Sequence, residues 1–282
     1  MWLQLAPPPP PGSPPLAPLA VATDRAAGHG GIVWDAALVL AWYVARQQRG
    51  WGAATRVAEL GAGCGLPGLT AARVHGCTVA LLEKPQLVPL LGANVAANGL
   101  GHLCVAAPLL FGGALRRLPR AARPPWDLLL ASDVLGCADA GAFDALLKTL
   151  RDAFAANPSM QLLMSYRRRA GWEAEFFARA TRDEGWACAR VAALGAGDVA
   201  RLKAAATLGL QPELGEAPSA LERLLEGGGG GGGGGGPGDP ARADDGGGDV
   251  HIFSFTCTAG DRAVGGRDRP RRAHDSDCAL PP

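Results

Sequence analysis

The stretch VAELGAGCGLPGL, residues 57–69, decides the fold, and it reads in two ways. From Gly63 it spells G-x-G-x-x-G, the dinucleotide signature, whereas from Glu59 it spells E-x-G-x-G-x-G, which suits a ligand without phosphates. In both readings a strand enters a glycine loop and a helix leaves it. Glycine lets a ligand come close to the backbone, so the loop marks a nucleotide-type cofactor site at the start of an α/β sheet. Pro67 fits a first helical turn, where its missing N–H costs nothing.

On either side of the loop, short Val- and Leu-rich runs alternate with longer segments of helical period, the pattern of a parallel sheet with crossover helices. Strands are predicted at Arg56–Leu60, Thr78–Glu83, 103–109, 127–132 and 161–166. Helices are predicted over Asp35–Arg46, from Pro67 onward, over 86–98 with a stop at Gly99, and from Phe143 to Asn157-Pro158. A fifth helix carries Trp172, Phe176 and Phe177 and stops near Gly185. Residues 188–194 and 249–256 (DVHIFSFT) then alternate without a crossover helix of matching length, which predicts an antiparallel hairpin. The expected fold is α/β: a Rossmann-like seven-stranded mostly parallel sheet with an antiparallel edge hairpin and helices on both faces.

Of the 41 glycines and 23 prolines, many fall in the N-terminus, in an unbroken glycine run at 227–236 and in the tail. Such segments bury too little apolar surface to offset the entropy of ordering them. The expected organisation is a disordered Pro-rich N-terminus (1–27), one domain (28–258) with a flexible Gly-rich insertion at about 195–248, and a disordered tail (259–282). A helix with capping-box spacing at Ser219 and Glu222 is predicted within the insertion, ahead of the glycine run.

A formal net charge of +1 leaves no electrostatic footprint for nucleic acid or an anionic membrane. No apolar run has the length of a membrane span, and MWLQLAPPPPPG lacks the basic start and apolar centre of a signal peptide. The seven cysteines form no C-x-x-C pair and read as buried thiols in a reducing compartment. A monomeric cytoplasmic protein is expected, and five scattered histidines predict no metal site.

Glu83 ends a predicted strand about twenty residues after the loop, where an acid accepts both ribose hydroxyl hydrogens. These features alone leave both NAD and S-adenosylmethionine open, and Glu59 bears on the choice. A carboxylate about 6 Å from a pyrophosphate is repelled by roughly 3 kcal/mol per charge pair at an effective dielectric near 20, whereas an ammonium or sulfonium is attracted. Once the linkers are set aside, no second domain remains for the substrate of a dehydrogenase.

GGIVWDAA (30–37), ELGAGCGLPG (59–68), Glu83, NVAAN (94–98), ASDVLG (131–136) and DVHIF (249–253) together resemble the ordered motifs of the seven-strand, class I S-adenosylmethionine-dependent protein-lysine methyltransferases. The resemblance implies S-adenosylmethionine as cofactor and a protein as substrate. It implies that Trp34 helps to enclose the cofactor, that Gly61, Ala62 and Gly63 line its amino-acid end beside Glu59, and that Glu83 holds the ribose. It further implies that Phe111, standing where the family has tryptophan, faces adenine, that Ser132 flanks the adenosyl group, and that Asp133 is the acid on the methyl-acceptor side. The family's tyrosine three residues after that acid is Gly136 here, and its strands ahead of the tryptophan motif have a proline-rich counterpart. These departures leave open a cofactor-binding protein without transfer, or a small-molecule methyltransferase, on the same scaffold.

Overall fold

A computed structural model describes residues 2–5, 16–47, 50–136, 140–167, 173–208 and 249–257. The chain opens with β1 (Trp2–Leu5) and β2 (Leu19–Ala22), continues through α1 (Asp35–Arg46), and then alternates: β3 (Arg56–Leu60), α2 (Leu66–His75), β4 (Thr78–Glu83), α3 (Val88–Ala97), β5 (Cys104–Pro108), β6 (Leu128–Ser132), α4 (Ala140–Ala156) and β7 (Gln161–Arg167). It ends with α5 (Glu173–Ala178), β8 (Trp186–Leu194), α6 (Ala196–Leu208) and β9 (Val250–Cys257). Each predicted strand is present, β3 and β4 with the expected bounds and the others with ends moved by one or two residues. The helix expected over 86–98 begins instead as a 3-10 turn, Pro85–Leu87, before α3. In a helix starting at Pro85, the missing N–H of Pro89 would leave the carbonyl four residues back without its donor.

Seven strands form one sheet in the order β5-β4-β3-β6-β7-β9-β8. β3 through β7 pair in parallel, and β9 runs antiparallel to both β7 and β8. The antiparallel pair thus lies at the sheet edge as expected, with the later strand inside. Val250, Ile252, Phe253 and Phe255 are all buried, so β9 needs cover on both faces, whereas β8 is exposed at Ala187, Ala189 and Arg190 and takes the edge.

One face of the sheet carries α1, α2, α3 and α6 over Val57, Leu81, Leu130 and Ile252. The other carries α4 and α5 over Leu60, Ala131, Met164 and an aromatic cluster of Phe143, Phe176, Phe177, Phe253 and Phe255. Successive strand residues point to opposite faces, so each strand feeds both cores. The strand order reverses between β3 and β6, and a crevice outside the carboxyl ends of the strands is where such sheets bind ligands.

Two expectations for the linkers change. The N-terminus expected to be disordered contains β1 and β2, paired antiparallel from Trp2↔Ala22 to Leu5↔Leu19. Leu19 and Val21 alternate into the core, a short period that the surrounding prolines masked. The insertion expected to be flexible begins with α6, whose Val199, Leu202 and Ala206 are buried one or two turns apart and whose Lys203 pairs with Asp35 on α1 (2.9 Å). Trp172, Ser219, Glu222, the glycine run and the tail lie outside the described residues.

Candidate functional site

β3 delivers the glycine loop to the carboxyl end of the sheet, and β4 delivers Glu83 beside it. Glu83 Oε2 accepts from the Gly63 N–H (2.9 Å), and Oε1 accepts from the Lys84 N–H (2.8 Å). The acid after β4 is therefore anchored to the loop it was expected to serve. Ala62 is buried, and its N–H donates to the Leu82 carbonyl (3.1 Å), which extends the β3–β4 pairing into the loop.

Gly61 and Gly63 are required here for two reasons. Both have positive φ (60° and 54°), where a side chain is strained. A Cβ on Gly61 would also lie 2.9 Å from Val134 Cγ1 and 3.5 Å from Phe111 Cζ, and one on Gly63 would lie 3.0 Å from the Gly30 carbonyl oxygen. These approaches place Phe111, which follows β5, and Val134, which follows β6, against the loop. They also bring the turn that precedes Trp34 onto it. Trp34 donates its Nε1–H to the His29 carbonyl (2.9 Å) and lies nearly parallel to the His29 ring.

Ser132 ends β6 in register with Ser165 on β7, and the Ser165 hydroxyl donates to the Ala36 carbonyl (2.8 Å). That bond seats the first turn of α1, and with it the Trp34 segment, at the same end of the sheet. Asp133 follows with φ 56°, the one positive-φ residue other than glycine among those described. Its N–H donates to the Ser165 carbonyl (2.8 Å), and its own carbonyl accepts from Gly136 (3.2 Å), closing a tight turn. Aspartate tolerates this conformation better than most residues, and a strained residue held by its surroundings is a frequent mark of a working site.

Glu59 behaves differently from its sequence-based expectation. It is wholly buried beneath the loop; Oε2 accepts from the Gly68 N–H (2.9 Å) and Oε1 has no hydrogen-bond partner. Burial, reinforced by the nearby Glu83 charge and only partly offset by the Gly68 bond, pushes its carboxyl up to about 8. The side chain is then mostly neutral at pH 7. In the free protein, burial thus disfavours the charged form on which the expected repulsion of a pyrophosphate depends.

The structure therefore brings Gly61, Ala62, Gly63, Glu83, Phe111, Ser132 and Asp133 to one end of the sheet, with Trp34 on the flanking segment and Glu59 underneath. Sequence reasoning missed Val134, Ser165 and the work of the two asparagines of NVAAN, for which only the four-residue spacing was available as a signal. Among the described residues no group of three metal-ligating side chains is present, and no helix is long and apolar enough to cross a membrane.

A family model described as lysine methyltransferase matches residues 15–183. The chain belongs to the lysine methyltransferase family. S-adenosylmethionine-dependent methyl transfer comes with that membership as its enzymatic class. Human histone-arginine methyltransferase METTL23 is 35% identical over 147 residues, 51% of this chain and 74% of the relative. Mouse protein N-lysine methyltransferase METTL21A is 36% identical over 132 residues, 45% of this chain and 56% of the relative. The match thus spans little more than half the length of METTL21A. Among solved structures, TrmN from Thermus thermophilus aligns with 17% identity and a TM-score of 0.49, covering 86% of this chain and 54% of that one. Precorrin-6y C5,15-methyltransferase from Geobacter metallireducens aligns with 11% identity and a TM-score of 0.47, covering 84% and 93%.

Proposed function

We propose that this chain binds S-adenosylmethionine and transfers a methyl group to a lysine side chain of a protein substrate. The observation that supports this most directly is the meeting of the glycine loop, Glu83 and Asp133 where the strand order reverses. The residues fit the cofactor. Gly61 and Gly63 take positive φ, which turns the loop at the carboxyl end of the sheet without side-chain bulk, and Glu83 retains acceptor capacity for ribose hydroxyls after binding two N–H groups.

On this reading Glu83 holds the ribose, Phe111 presents a ring face to adenine, and Ser132 flanks the adenosyl group. Gly61, Ala62 and Gly63 line the amino-acid end, Trp34 encloses it, and Glu59 braces the loop from below. When bound, S-adenosylmethionine supplies a methyl group activated on a sulfonium, so alignment with the acceptor is the protein's main contribution. A lysine amine must lose its proton before it attacks, at a cost of roughly 4–5 kcal/mol at pH 7 for a reference pKa near 10.4. A neighbouring carboxylate favours the charged amine, so Asp133 acts by orienting the acceptor while the proton passes to water.

The proposal has the chain acting as a monomer in a reducing compartment such as the cytoplasm. Cys64, Cys77 and Cys104 are buried free thiols, and burial pushes Cys64 and Cys104 up to about 12, which keeps them inert. Calorimetry with S-adenosylmethionine and with NAD tests the cofactor: binding of NAD alone overturns the reading. Incubation with methyl-labelled cofactor and cell lysate, then acid hydrolysis of any labelled protein, tests the acceptor. Methyl-lysine is expected; methyl-arginine, or label confined to small molecules, overturns the lysine assignment, and cofactor binding with no labelled product makes the chain a binding protein.

A further inference from the structure

α3 runs alongside β2 and presents Asn94 and Asn98 to it. Asn94 Oδ1 accepts from the Ala22 N–H (2.8 Å), while Nδ2 donates to the Ala22 carbonyl (3.2 Å) and to the Cys64 carbonyl (2.9 Å). Asn98 Oδ1 accepts from the Ala20 N–H (2.9 Å), while Nδ2 donates to the Ala20 carbonyl (2.7 Å) and to the Asn94 carbonyl (2.7 Å). Four residues of helix rise about 6 Å and two residues of strand about 6.6 Å, so side chains one helical turn apart meet alternate strand residues. Two side-chain amides thereby take the place of a neighbouring strand on the edge of β2 that faces away from β1.

The two asparagines differ in one bond. The third bond of Asn98 stays within α3, whereas the third bond of Asn94 reaches the carbonyl of Cys64, inside the glycine loop. The N-terminal segment then meets the loop a second time. The Gly30 carbonyl packs against Gly63 and accepts weakly from the Cys64 thiol (3.7 Å), and the turn bearing it is tied to the end of β2 by the bond from Asp24 N–H to the Gly31 carbonyl (2.8 Å). Trp34 follows directly.

We propose that Asn94 is a positioning residue for the cofactor loop, coupling β2 and the segment leading to Trp34 to the backbone of Gly63 and Cys64. Asn98 holds the same strand without reaching the loop. The inference rests on the reading that this loop binds S-adenosylmethionine, and the two asparagines provide an internal comparison because each makes three bonds.

The test uses the full chain carrying Asn94→Ala or Asn98→Ala. Both variants are expected to lower the melting temperature by similar amounts. Asn94→Ala is expected to weaken S-adenosylmethionine binding by roughly tenfold or more, because a buried loop carbonyl loses its donor, and Asn98→Ala by no more than about threefold. Amide exchange at Gly63 and Gly65, measured without cofactor, is expected to accelerate in Asn94→Ala only. Asn94→Asp, which keeps the size and removes both donated bonds, serves as a second variant should the alanine fail to fold. Equal effects of the two positions on loop exchange overturn the proposal. If the wild-type chain binds no S-adenosylmethionine the cofactor reading fails instead, and the exchange measurement still decides the coupling.

Discussion

At the scale of single residues, Glu59 and Asp133 make opposite demands on solvent. Glu59 is sealed beneath the loop, with a folded-state pKa near 8 against 4.5 for the free side chain, set first by burial. Below about pH 4.5 the folded and unfolded states both hold the proton. Between about 4.5 and 8 the unfolded chain releases it while the folded chain keeps it, so stability falls as pH rises, by at most about 1.4 kcal/mol per pH unit. Above 8 both states are ionised and the loss is complete. Glu59→Gln is expected to flatten this slope, so urea unfolding at pH 5 and pH 8 should separate wild type from variant by a few kcal/mol more at one end than at the other. Identical pH dependence in the two proteins would show that Glu59 does not titrate in that range. Asp133, half-buried at the end of β6, is expected to act on chemistry alone. Asp133→Ala should abolish methyl transfer and leave the S-adenosylmethionine dissociation constant within about threefold of wild type; normal transfer by this variant refutes its assigned role.

Among the elements, α6 shows what a segment contributes when its contacts are both apolar and ionic. It packs Val199, Leu202 and Ala206 into the core beside α1, and Lys203 shares Asp35 with Arg167 at the end of β7. Asp35 lies in the first turn of α1, where a carboxylate also complements the helix dipole. The Lys203 and Arg167 side chains keep 55% and 39% of their exposure, so each ion pair is worth no more than about 1 kcal/mol after screening. Asp35→Asn should therefore lower the melting temperature only slightly, and Leu202→Ala, which removes a buried side chain, should cost about 2–5 kcal/mol in denaturant unfolding. A larger loss for Asp35→Asn than for Leu202→Ala would mean that the ionic contacts, not the packing, hold α6. This element lay within a stretch that composition marked as flexible. Its helical period was present at 199, 202 and 206, but it was overshadowed by the glycine run that follows.

In the molecule as a whole, the two cores on either side of the sheet divide the labour. The face of α1, α2, α3 and α6 holds Ala62 and Cys64 of the candidate loop, and the face of α4 and α5 is filled largely by aromatic side chains, with Phe111 and Val134 packed against it. Phe177 meets Phe253 and Phe255 at ring-centroid distances of 4.7 and 5.7 Å and is fully buried, so Phe177→Ala should cost about 3–5 kcal/mol of stability, read by urea unfolding. Cofactor affinity of the folded fraction should be unchanged. The alternation of strands and helices and the glycine loop with Glu83 beyond it were legible in the amino-acid order because period and glycine chemistry are local properties, whereas Asp133 was marked only by the family resemblance and its turn by the structure. What the sequence could not express is which distant groups meet. Asn94 and Ala22 lie 72 residues apart, and the Glu59 carboxyl is pushed up because strands and helices from across the chain exclude water from it. The last strand inserts ahead of its predecessor for the same kind of reason: its two apolar faces need cover that only the assembled sheet supplies. The residues by themselves thus determined the fold class and the candidate loop, and tertiary packing decided the N-terminal strand's place, the protonation of Glu59 and the bracing of the loop, since each depends on burial and contacts that arise only once the chain is folded.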